Sequence, residues 1–145
     1  MSVTAPTDGL TTAKPVLTAA GAEAVLKTAE ARALENRAAM TIAVVDAAGM
    51  LMAFLRMDGA PGITVEWTLE KASTAAAFGA PTHVLAEGVE GSPALASSMI
   101  SLPRVNLVVG GYPLMSDGGV VGGVGAGGGT PEQDRAVAEA GASVL

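Results

Sequence analysis

The chain has 145 residues, enough for one compact domain and short for two. It contains no cysteine, which excludes a disulfide framework, a thiolate metal site and a cysteine nucleophile together. Eight basic residues against fourteen acidic ones leave a net charge of −6, and with no Lys/Arg cluster and few aromatic rings a nucleic-acid backbone is excluded as a partner.

Residues 1–16 are polar and broken by Pro6, Gly9 and Pro15, so they are expected to form a flexible arm ahead of a single domain over 17–145. The opening MSVTAPTDGL has neither a basic n-region nor an apolar h-region, and no apolar run reaches the ~20 residues of a membrane helix. A soluble cytoplasmic protein with no membrane partner is expected. From Thr18, Ala22, Val25, Leu26, Ala29, Ala33 and Leu34 recur at three and four, predicting an amphipathic helix over 17–37. TIAVVD and MLMAFLRM flank a turn framed by Asp46 and Gly49, a hairpin over 41–57. After RMDGAPG breaks structure, Val65, Leu69, Ala72 and Ala76 predict a second helix, and two or three short helical pieces fill 82–100.

Ten of the 19 glycines fall between 110 and 129, where GGYP and SDGG punctuate the apolar stretches VNLVV and VVGGVGAG. A second hairpin follows, turning at Ser116, Asp117, Gly118 and Gly119. The last helix has a clear start: Thr130 as N-cap, Pro131 at the first position and Gln133 completing a capping box, with Ala136, Val137, Ala140 and Val144 as the buried stripe. Hairpins alternating with helices predict an α+β domain with an antiparallel sheet flanked by helices.

Gly123 to Gly128 fits G-x-G-x-x-G between a strand and a helix, but no further strand or acidic ribose ligand follows, so a dinucleotide site fails. What survives is a glycine bend feeding the free amides of the last helix, suited to a carboxylate or phosphate, or simply to close strand–helix packing. His83 is the only histidine, so any imidazole chemistry depends on it. Glu87 and Glu90, spaced E-x-x-E, are either a hard-cation pair or solvated acids. Charge concentrates at Arg56, Asp58, Glu66, Glu70 and Lys71, giving either a structural pair such as Arg56 with Glu70 or a ligand-facing cation pair, Arg56 with Lys71.

The three blocks IAVVDAAGMLMAFLRMDGAP, EKASTAAAFGAPT and GGYPLMSDGGVVGGVGAGGGTPEQDRAVAEAG, in that order, resemble the GlcG/HbpS-like family, which includes the small domain attached to some PduO-type cobalamin adenosyltransferases. The resemblance implies a profilin-like α-β-α domain with a five-stranded antiparallel sheet, assembly into homo-oligomers, and haem as the favoured small-molecule ligand. On that basis Arg56, Asp58 and Lys71 are candidate ligand-binding residues, with Arg56 and Lys71 near propionates. Gly125, Gly127 and Thr130 would line the pocket, and His83 is a candidate axial ligand to haem iron. A cofactor-independent isomerase or lyase acting on a small carboxylate is the alternative, with Glu132 or Asp134 as general base. An accessory scaffold is the third reading.

Overall fold

The computed structural model describes residues 9–145. Residues 1–8 of the expected arm lie outside this range, and 9–18 carry no helix or strand.

Helix α1 (Ala19–Glu35) starts where the Thr18 hydroxyl accepts from the Gly21 amide, and it buries Ala22, Val25, Ala29 and Ala33. Leu34, expected inside, is 60% exposed. Strands β1 (Thr41–Asp46) and β2 (Leu51–Arg56) form the first hairpin, closed by Asp46, whose Oδ1 accepts from the amides of Ala48 and Met50. Helix α2 (Thr64–Phe78) ends on Gly79 at φ 66°, and α3 (Thr82–Val89) and α4 (Pro93–Ile100) follow. Strands β3 (Gly111–Ser116) and β4 (Gly119–Gly127) make the second hairpin, and α5 (Pro131–Ala142) closes the fold with the expected capping box at Thr130 and Gln133.

Among the described residues the sheet runs β2-β1-β4-β3, antiparallel throughout, and has four strands rather than five. VNLVV (105–109) adds no strand because its backbone is tied to side chains instead. The Asn106 amide donates to Thr74 Oγ1, the Val108 amide to Asn106 Oδ1, and the Val108 carbonyl accepts from Thr82 Oγ1. The strand begins later, through the GGYP that looked like punctuation, and Pro113 is tolerated there because β3 is an edge.

Alternation along β1 separates two layers. Ile42 and Val44 pack with Val124, Leu114, α1 and α5, whereas Ala43 and Val45 pack with Ala72 and Ala76 of α2. On the α2 side, β4 presents Gly123 and Gly125 to the helix backbone. A Cβ at Gly123 would overlap the Ala72 carbonyl oxygen, and one at Gly125 the Thr68 carbonyl oxygen. The helix therefore lies directly on the strand, and small residues do here what aromatic rings do in other cores. On α5 the buried stripe is Asp134, Val137, Ala138 and Gly141, one step from the stripe expected at Ala136, Val137, Ala140 and Val144, and Val144 is 40% exposed. Among the described residues no helix is long and apolar enough to cross a membrane.

Candidate functional site

The end of β4 is where α2 and α5 meet. Among the described residues Lys71 is the largest fully buried side chain, and its Nζ reaches the strand end. There it donates to the Ala126 carbonyl at 3.0 Å and to Asp134 Oδ2 at 3.1 Å. The other carboxylate oxygen of Asp134 accepts from the Gly129 amide at 2.9 Å. Burial pushes the Asp134 carboxyl above its ordinary value, against the opposing pull of the Lys71 ammonium and the two hydrogen bonds. Glycine is required around this pair: a Cβ at Gly110, whose φ is 117°, would stand 3.2 Å from Lys71 Nζ and 3.0 Å from Asp134 Cβ.

The structure thus joins two residues assigned by sequence to different roles, a ligand-facing cation and a general base. Of the two candidate bases, Asp134 is buried and engaged, while Glu132 is exposed on the first turn of α5. Gly125 is covered by α2, and Gly127 faces Thr68 and Lys71, so neither opens onto free space. Thr130 is occupied as the N-cap, accepting from the Gln133 amide.

Arg56 does not approach Lys71. It ends edge strand β2, opposite Thr41, which in turn faces Gly127, so two strand spacings, roughly 10 Å, intervene. Glu70 is not its partner either, because Glu70 Oε2 accepts from Asn106 Nδ2. Arg56 and Asp58 instead line an open cleft of about 480 Å³ with Arg37. His83 belongs to the opposite edge, packed on the Tyr112 ring with centroids 5.8 Å apart. Its Nδ1 is buried with no hydrogen-bond partner. Tyr112 extends this cluster: its hydroxyl donates to Glu139 Oε2 and accepts from Arg135 Nε, and burial raises its pKa above the ordinary value. Glu87 and Glu90 are exposed, and among the described residues no three His, Asp or Glu side chains gather as a metal site would require. Sequence reasoning missed Tyr112, Arg135 and Arg37; the chain's single tyrosine, standing directly after Gly110-Gly111, was the available signal for the first.

A four-stranded antiparallel sheet layered between helices, with a buried Lys–Asp pair at one strand end and polar clusters at both sheet edges, defines a small α+β domain. A family model described as haem degrading protein HbpS-like matches residues 17–143, and the chain belongs to this GlcG/HbpS-like family. It is 35% identical to an uncharacterized 15.0 kDa protein from the dhaT-dhaS intergenic region of Citrobacter freundii, over 85% of this chain and 87% of that one. The crystal structure of HbpS superposes with a TM-score of 0.85 at 33% identity, covering 94% of this chain and 95% of the other. That of a PduOC:heme complex gives 0.83 at 30% identity, covering 90% and 96%.

Proposed function

We infer that the protein binds a small ligand as a homo-oligomer, with haem or a related tetrapyrrole as that ligand, and that residues 17–145 act as one profilin-like unit. The observation that carries this reading is the likeness, over nine-tenths of the chain, to a domain solved in complex with heme. The chain's own residues fit such a group at the β3 edge. His83 Nδ1 is buried with no protein partner, and its imidazole is the group that would hold the haem iron. Arg135 lies beside Tyr112 on the same edge and suits a propionate. When bound, haem supplies the redox and ligand-binding chemistry of its iron; the chain supplies the imidazole, the guanidinium and the apolar surface of Val84, 45% exposed. A single sheet edge forms one wall, so a second copy is the natural source of the other.

Binding is favoured over proton abstraction because Asp134 is spent on Lys71 and Gly129, and Glu132 stands in solvent. Hemin titration of the full chain tests the reading. A saturable Soret shift of defined stoichiometry, weakened in His83→Ala, is expected, together with a light-scattering mass above one chain. A featureless, nonsaturating absorbance change overturns the haem assignment.

A further inference from the structure

Three non-glycine residues among those described have positive φ: Arg37 at 52°, Arg104 at 66° and Asp117 at 51°. Asp117 precedes Gly118 in the β3–β4 turn, where tight hairpins demand that conformation. Arg104 uses its side chain, donating from Nη2 to the Gly49 carbonyl and to Ser73 Oγ. Arg37 has a backbone account but none for its side chain. It ends α1 in a Schellman arrangement, with the Arg37 amide donating to the Leu34 carbonyl and the Ala38 amide to the Ala33 carbonyl, both at 3.0 Å. Glycine or asparagine is the usual occupant there, and arginine carries a left-handed strain that glycine avoids. The capping bonds account for the backbone at Arg37, and its guanidinium is left without a protein partner among the described residues.

The Arg37 side chain lines the cleft of about 480 Å³ between the end of α1 and β2, a volume in the range of small-molecule sites. Leu34, Leu55 and Met57 supply apolar walls. Arg37 and Arg56 bring two cations, Glu30 and Asp58 two carboxylates, and none of the four is paired with another. A simple anion would meet no net positive field, since the lining charges cancel. A dicarboxylate would set its second anion against Glu30 or Asp58. Unpaired charges of both signs over apolar walls match a ligand that also carries both signs and an apolar body.

We propose that this cleft binds a small zwitterion with an aliphatic tail, the chemistry of an aliphatic α-amino acid. Its carboxylate lies on Arg37 and Arg56, its ammonium on Glu30 and Asp58, and its tail on Leu34, Leu55 and Met57. The site is at the β2 edge, opposite His83, and does not depend on haem.

Calorimetry and NMR titration of the full chain with L-leucine, 4-methylpentanoate and isopentylamine separate the charge requirements. Leucine is expected to saturate, with the carboxylate-only and amine-only probes weaker by roughly tenfold or more. Arg37→Gly, which fits the left-handed backbone, is expected to raise the melting temperature while weakening leucine binding by a similar factor. Arg56→Gln and Asp58→Asn are expected to weaken it without a matching gain in stability. The proposal is overturned if no probe saturates, if 4-methylpentanoate binds as tightly as leucine, or if Arg37→Gly retains full leucine binding. Hemin titration of the same sample is scored separately, so failure at one sheet edge is distinguishable from failure at the other.

Discussion

Lys71 of α2 and Asp134 of α5 meet at 3.1 Å although their helices pack on opposite faces of the sheet, because the lysine reaches past the end of β4. The pair ties three elements at one point: both helices and, through the Ala126 carbonyl, the strand between them. Removing the cation alone leaves a carboxylate buried without its counter-charge. Lys71→Met is therefore expected to cost about 3–5 kcal/mol in urea or thermal unfolding at neutral pH. Replacing both residues, with Lys71→Met and Asp134→Leu, is expected to recover much of that loss. A double variant as unstable as the single one would mean that the lysine stem and its packing, rather than the charge, hold the site.

The protonation of Asp134 sets a pH dependence whose sign is fixed by burial. Its carboxyl is raised above the ordinary value in the folded protein, so the native state holds the proton more tightly than the unfolded chain. The stability from this group is full below the unfolded value of about 3.9 and is lost as pH rises through the higher folded value. Asn at this position keeps an acceptor for Lys71 and does not titrate. The stability of the natural protein relative to Asp134→Asn should accordingly fall as pH rises above about 4. A difference that grows with pH would show that Lys71 outweighs desolvation.

Glycine positions are expected to split sharply by what lies over them. At Gly125 a methyl group would overlap the Thr68 carbonyl oxygen, and neither backbone can yield without separating α2 from β4. Gly125→Ala should cost about 1–3 kcal/mol, and more if the helix shifts. Gly88, inside α3, has nothing within 4 Å of the same added atom. Gly88→Ala should stabilise by about 0.5–1 kcal/mol through helix propensity and a less flexible unfolded chain. Equal effects at the two positions in thermal unfolding would contradict the direct seating of α2 on β4.

Much of this architecture was legible in the sequence, since caps, turns and periods are local. Thr18, the Asp46–Gly49 turn and the Thr130–Gln133 box all act within a few residues, and α1, the first hairpin and the start of α5 follow from such signals. The count of strands did not follow, because VNLVV has strand composition while its backbone is claimed by Thr74 and Thr82, residues distant in the chain. The candidate site was legible in its parts but not in its joining. Lys71 and Asp134 were each singled out, yet only the crossing of β4 brings them together, and the same geometry leaves Arg56 and His83 on opposite edges. The phase of α5 was misjudged because an aspartate and a glycine occupy its buried stripe. Asp134, Val137, Ala138 and Gly141 have the right spacing once a charged residue is allowed inside.

The cap at Thr130 and the buried pair should be coupled. The Thr130 hydroxyl holds the Gln133 amide, Gln133 returns a bond to the Thr130 amide, and the neighbouring Gly129 amide is the one that Asp134 accepts. Thr130→Ala alone is expected to cost about 1 kcal/mol, as the loss of an N-cap generally does. Fraying this turn also loosens the geometry that presents the Gly129 amide to Asp134, so part of the cap's contribution passes through the carboxylate. In a double-mutant cycle, Thr130→Ala and Asp134→Asn should depart from additivity by about 0.5 kcal/mol or more, with the cap worth less once Asp134 is gone. Strict additivity in urea unfolding would instead make the cap and the pair independent stabilisers of α5.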